Sequence, residues 1–554
     1  MIGDAIFLSE WHCAIVPALS SLVSPTLWPL LAESATESQT AAIEEKLAQF
    51  LLVLCVSLSV AALSRTFSLF RQIPYTLLLV IVGLGLAILD IRLVTLSPEL
   101  ILLIFLPPLL FEAGWNLEWA NLKKNFIPIC LFAIIGVVIS VGGIALGLNA
   151  IARMTLGTAL LVGASLSATD PVSVIALFRD LGVDKRLTVL MEGESLFNDG
   201  VAVVAFTLLI GWAMGTDALT VPLAITKFLA FVGIGAGVGA VIGFGISFIT
   251  QRFDIPSVEQ SLTLIAAYGT YVVSEELGGS GVIAVVTVGL IMGNFGSRIG
   301  MNPRTRLIVS EFWEFISFFV NSIVFLLIGD QVRFASLGEN FDLIMVAIAS
   351  VIATRAVGIY GLSWLSNAIS NSELKGSEQT VLWWGGLRGS VSVALALSVP
   401  EDFPAREEVI ATVFGVMLFT LLVQGLTTKP LLERLELLGD QPLKQKYLEA
   451  IARRVALDRV LDYLKKLADR REIEEEYFEY QTALVKGQLN SIREDIAKMQ
   501  QVHPEYQDIM VEQLREEMLA IESDTYADFI RSGRLKDSLT PLLEDVLEGS
   551  KRHH

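Results

Sequence analysis

Charge is scarce in this chain: 18% of its 554 residues are Asp, Glu, Lys or Arg, against 53% hydrophobic. A soluble domain carries roughly 25% charged residues to hold its surface in water, so a wholly water-exposed fold is excluded. Histidine is scarcer still. His12, His503, His553 and His554 are the full set, so the apolar region from about residue 47 to about 437 contains none. Any proton carried there must ride on a carboxylate. Cysteine is limited to Cys13, Cys55 and Cys130, which have neither metal-ligand spacing nor an evident disulfide partner and read as small buried hydrophobes. There is no His-Glu-x-x-His, which disfavours a helical zinc protease, and no cofactor is expected.

What is present is a succession of apolar stretches of roughly 18 to 25 residues, the length an α-helix needs to cross a hydrocarbon core. About 13 such spans fit, which predicts an all-α integral membrane protein and not a barrel. An odd number puts the two ends on opposite sides. Alternate loops differ in basic residues: one set holds Arg65, Arg71, Lys123, Lys124, Arg179, Lys185, Arg186, Arg252, Arg298, Arg304, Arg306 and Lys375, the other only Arg92, Arg153, Arg333 and Arg406. The positive-inside rule then places the N-terminus outside and the tail in the cytoplasm.

Three regions follow: an extension over 1–45, a transmembrane domain over 46–437 and a tail over 438–554. In the extension an apolar stretch is interrupted by Pro17, Pro25 and Pro29 and followed by polar sequence from Glu33 to Lys46. An extra helix, an interfacial segment and a cleaved leader all remain open, although the lack of preceding basic residues argues against an ordinary signal peptide. The tail carries about a third of the net charge of −18, and the acidic balance argues against nucleic acid as a partner. Leu457, Val460, Leu461, Leu464 and Leu467 recur there at helical spacing, predicting amphipathic helices of a regulatory or assembly domain.

Ionisable residues inside the apolar spans cost at least about 2.5 kcal/mol each and require a reason. In Ser165-Leu166-Ser167-Ala168-Thr169-Asp170-Pro171 a carboxylate directly precedes a proline. Proline removes a backbone donor and disfavours helix at the residue before it, so carbonyls are freed beside Asp170, which suits a cation. In Glu194-Ser195-Leu196-Phe197-Asn198-Asp199-Gly200, helical spacing puts Ser195 and Asp199 on one face and Glu194 and Asn198 on the adjacent one. Gly385-Gly386-Leu387-Arg388-Gly389 weakens a second helix enough to unwind. Two interrupted helices, one in each half of the chain, is the pattern of inverted-repeat transporters. Glu112, after Pro107-Pro108, and Arg355 are further intramembrane charges, read first as structural. Glu194 is the first choice of partner for Arg355, with Glu112, Asp170 and Asp199 still open.

These segments, together with Leu106-Pro107-Pro108-Leu109-Leu110-Phe111-Glu112-Ala113-Gly114, resemble the NhaP-type branch of the cation:proton antiporter family in kind and in order, and cyanobacterial NhaP antiporters in particular. The resemblance implies a homodimer whose protomers have a dimerisation domain and a mobile core domain, in which the two interrupted helices cross. It implies that Asp170 and Asp199, with the Ser195 hydroxyl and the Thr169 backbone carbonyl, hold the transported Na+. It further implies that Glu194 and Arg355 form a structural ion pair, and that Asn198 makes a supporting contact with Glu112. The Asn198-Asp199 pair resembles that of the branch exchanging one proton for one sodium, so electroneutral exchange is expected. Lithium or potassium as the main cation is an alternative, since hard cations share oxygen ligands. An intramembrane aspartyl protease is the rival from another class, but neither Asp170 nor Asp199 sits in a Gly-x-Gly-Asp setting.

Overall fold

The computed structural model describes residues 47–502 except 65, 67–72, 92, 95, 217–219, 251–254, 302, 371–372, 439–440 and 470–473, together with 518, 521–522 and 525–526. The extension over 1–45 and most of the chain beyond 502 lie outside the described residues. Among the described residues all regular structure is helical.

The chain divides into two compact units, Met1–Leu96 with Ser322–Val332, and Ser97–Asn321 with Arg333–His554. In the first, helices α1 (Leu47–Ser64) and α2 (Tyr75–Ile88) are joined to the segment from Ser322 by the Tyr75 hydroxyl, which donates to Ser57 O at 3.1 Å and Ser322 Oγ at 2.8 Å. The fully buried Asp330 accepts from the Leu93 N–H at 3.1 Å. These polar contacts satisfy groups that a lipid environment would leave without partners.

The second unit is built from α3 (Leu100–Asn116), α4 (Phe126–Ala150), α5 (Leu156–Ser165), α6 (Val172–Leu181), α7 (Lys185–Ala213), α8 (Val221–Thr250), α9 (Pro256–Glu276) and α10 (Gly281–Ser297). There follow α11 (Arg304–Asp330), whose last turns belong to the first unit, α12 (Phe341–Ser370), α13 (Gly376–Trp384), α14 (Ser390–Leu397) and α15 (Arg406–Arg434). Seven helices among the described residues, namely α1, α4, α7, α8, α11, α12 and α15, are long and apolar enough to cross a membrane. The others are shorter, broken or carry charge, as α9 does with Glu259, Glu275 and Glu276. Exposed apolar side chains on α8, such as Val241 at 75% and Leu229 at 62%, suit a surface that meets lipid instead of water.

Beyond them α16 (Gln441–Asp469) and α17 (Glu475–Val502) form an antiparallel hairpin around Tyr447, Ile451 and Ile496. The Gln500 amide donates to the Tyr447 hydroxyl at 2.8 Å. The predicted stripe is only partly used. Leu461 is buried, but Val460 is exposed.

Candidate functional site

Helices α5 and α6 are two halves of one broken element, and so are α13 and α14. Pro171 immediately precedes α6 and has no N–H to continue the helical ladder, so residues 166–171 leave helix. Gly385 to Gly389 separate α13 from α14. The two breaks meet. The Asp170 N–H donates to Leu387 O at 2.8 Å, and the Arg388 guanidinium donates through Nη1 to Ser167 O at 3.1 Å and Ala168 O at 3.0 Å. The Asp170 carboxylate accepts from the N–H of Val172 at 3.2 Å and from that of Ser390, the first residues of α6 and α14. A carboxylate therefore sits at two helix N-termini, where the macrodipole favours negative charge. Gly389 has to be glycine, because a Cβ there would run into the Asp170 side chain.

The facing helix α7 buries Glu194, Ser195, Asn198 and Asp199, all under 9% exposed. Ser195 Oγ donates to Thr169 O. The Asn198 amide clasps Thr169 from both sides, accepting from its N–H at 3.2 Å and donating to its hydroxyl at 2.6 Å. Asp199 lies close enough to Asp170 and Arg388 to interact electrostatically with both, and its Oδ1 has no hydrogen-bond partner among the described residues. The sequence motifs at 165–171, 194–200 and 385–389 thus converge on one buried place.

Glu194 and Arg355 form a bidentate pair, with Nη1 to Oε1 at 2.9 Å and Nη2 to Oε2 at 3.1 Å. The same guanidinium donates to Leu382 O at 3.0 Å and Trp383 O at 3.2 Å, capping the last carbonyls of α13. Arg355 also passes where a Cβ on Gly386 would lie. Each break thus has an arginine at the carbonyl end of its first half, Arg388 for α5 and Arg355 for α13.

The expected contact between Asn198 and Glu112 is not formed. Asn198 pairs with Thr169 through its amide oxygen and its amide nitrogen, and Glu112 accepts from Asn116 at 2.5 Å, one turn along its own helix, and from Ser317 at 3.5 Å. Glu112 instead interacts electrostatically with Arg179 and Glu192, which line a cavity of about 270 Å³ together with Asn116, Glu118 and Lys185. Two ion pairs, Arg179–Glu192 at 3.2 Å and Lys185–Glu118 at 3.0 Å, stand at this cavity.

Sequence reading also missed Thr420 and Ser392. The Thr420 hydroxyl accepts from the Arg388 N–H at 3.1 Å, and Ser392 donates to Ala168 O at 3.3 Å. Thr420 opens a π-helical turn, Thr420–Gln424, a widening often found at functional sites. A single hydroxyl in an apolar span gives no pattern by which it could have been singled out.

Comparison with known proteins places this geometry. Residues 53–434 match the family model described as sodium/hydrogen exchanger, transmembrane. The chain is 61% identical over 507 residues to the Na(+)/H(+) antiporter ApNhaP of Aphanothece halophytica, covering 91% of this chain and 97% of that protein. It is 56% identical over 516 residues to the low-affinity Na(+)/H(+) antiporter NhaS1 of Synechocystis sp., covering 92% and 98%. Its fold is similar to that of the sodium proton antiporter MjNhaP1 from Methanocaldococcus jannaschii, with a TM-score of 0.59 at 20% identity over 71% of this chain and 99% of that one. The broken-helix crossing and the match across most of the membrane region lead to one assignment: this chain is a multi-pass integral membrane protein of the sodium/hydrogen exchanger family.

Proposed function

We propose that the protein exchanges Na+ for H+ across a membrane by alternating access, with Asp170 and Asp199 holding either ion in turn. The observation that carries this reading is the convergence of two buried carboxylates at the crossing of two broken helices, one of them with a free oxygen. The relatives' names agree with it.

Na+ is held by the carboxylates of Asp170 and Asp199, the Ser195 hydroxyl and the Thr169 carbonyl. Ser195 and Thr169 are bonded to each other, and each oxygen keeps a lone pair for a cation. Asn198 fixes the Thr169 backbone, and the Glu194–Arg355 pair ties α7 to α12 and α13. Protons compete with Na+ for the same carboxylates. An empty site leaves bare charge in a low dielectric, which costs several kcal/mol, so the unloaded form does not cross and exchange is obligatory. The neutral Asn198 beside Asp199 fits one proton for one Na+, an electroneutral cycle.

Counting each broken pair as one crossing gives about 13 crossings, with α5–α6 and α13–α14 as corresponding elements of two inverted repeats. Residues 46–437 form the antiporter domain, comprising dimerisation and core subdomains. The basic loops and the tail over 438–554 face the cytoplasm of a bacterial plasma membrane, and the protein works as a homodimer in the lipid bilayer. The cavity beside Glu112, lined by basic-loop residues Arg179 and Lys185, is then the cytoplasmic approach to the site.

The test is a proteoliposome assay with an imposed pH gradient and clamped voltage, adding Na+, Li+ or K+ in turn. Dissipation by Na+ supports the proposal. Dissipation by K+ alone makes the protein a potassium/proton antiporter, and no response to any cation sinks the antiport reading.

A further inference from the structure

The mechanism above uses four carboxylate, hydroxyl and carbonyl ligands and leaves Arg388 as a cap on carbonyls. A cap needs only a neutral donor, yet a full positive charge has been placed there at 1% exposure. Nη1 alone makes the cap, to Ser167 O and Ala168 O. Nε and Nη2 have no partner among the described residues, and neither has Asp199 Oδ1. Arginine cannot escape this by losing its proton. Two desolvated donors and one desolvated acceptor therefore share one site, and the charges of Arg388 and Asp199 interact.

The mutually interacting charged groups are Asp170, Asp199, Glu194, Arg355 and Arg388. Glu112 answers instead to Arg179 and Glu192. Three carboxylates against two guanidinium groups leave one net negative charge, and Glu194 and Arg355 cancel each other through their bidentate bond. We infer that Arg388 is the fixed counter-charge that sets the capacity of the site at one monovalent cation, so that a single Na+ or a single proton makes it neutral. Without Arg388 the aspartate pair carries two negative charges, and Na+ alone leaves one over. Arg388 acts through Asp199 and the break, not on the ion, and is a positioning residue. The inference rests on the exchange proposed above.

The readout that separates this from a purely structural role is charge. In proteoliposomes with equal Na+ on both sides, tracer Na+–Na+ exchange is followed under an imposed voltage of either sign and over a range of alkaline pH. The wild type exchanges Na+ through a neutral loaded site, indifferent to voltage and needing no proton. Arg388→Gln leaves the Na+-loaded site charged. Its exchange must then change with voltage, by up to about tenfold over 60 mV for one charge crossing the whole field, or fall with rising pH because a proton must be retained. Arg388→Lys keeps the wild-type indifference. Arg388→His carries the test if the glutamine variant does not fold: at alkaline pH, where its imidazole is neutral, its exchange must depend on voltage as that of Arg388→Gln does. Arg388→Gln or Arg388→His exchange that is slower but indifferent to voltage and pH throughout overturns the inference and leaves Arg388 as a carbonyl cap. A wild type that moves no Na+ at all refutes the exchange itself, a separate failure.

Discussion

At the residue scale most buried polar groups of the site have a hydrogen-bond partner, and Asp199 Oδ1 and the Nε and Nη2 of Arg388 are without one among the described residues; in the proposed mechanism the Asp199 oxygen receives the ion. Asp199→Asn preserves shape and removes that charge, so tracer Na+ uptake is expected to fall more than about a hundredfold, a cost of some 2.7 kcal/mol, while the thermal unfolding midpoint stays near the wild type. Uptake that survives would place the ion elsewhere. The Glu194–Arg355 pair makes the opposite prediction. Glu194→Gln strands a guanidinium that is 8% exposed, and breaking such a pair costs about 3 to 5 kcal/mol. The measurement is thermal unfolding in detergent, and an unchanged midpoint would show that the pair is not structural. Glu194 and Asn198 share a helix face in sequence, but only the structure shows that Asn198 serves Thr169 and not Glu112, because the partner lies 29 positions away across a break.

At the scale of elements, the proposed site lies where the two broken helices meet, and their breaks were legible because proline and clustered glycine have local, context-free effects. Asp170-Pro171 and Gly385 to Gly389 could be read directly. That the breaks touch, through Asp170 N–H to Leu387 O, could not, since no local pattern encodes a contact over 200 positions apart. Proline in a helix interior costs about 3 kcal/mol, so Pro171→Ala removes the strongest bias toward the break. The variant is expected to fold and to exchange at least about tenfold more slowly, measured as the initial rate at saturating Na+. An unchanged rate would show that the crossing itself, through Arg388 and Leu387, holds the break without the proline. The tail shows the other limit of sequence reading: helical spacing predicted helices, but which stripe meets which was set by the hairpin around Tyr447 and Ile496.

For the whole molecule, apolar length gave the class of protein, because lipid demands that each crossing satisfy its own backbone. Length was less reliable for the elements, since broken and charged helices escape a simple measure of apolarity. The asymmetry of basic loops predicts that protease cleaves the tail beyond residue 438 in inside-out vesicles and spares it in right-side-out ones. The reverse pattern would invert the orientation and move the cavity beside Glu112 to the outer face.

The central claim is that Na+ and protons share one site. It is tested most directly by the apparent Na+ affinity of the purified protein in proteoliposomes, measured across pH in the wild type. Competition at a single carboxylate site requires the apparent affinity to fall by about tenfold for each pH unit on the acid side, approaching a constant value on the alkaline side. An apparent affinity that stays constant as protons are added would mean that the two ions bind independently, and the shared-site account would be wrong.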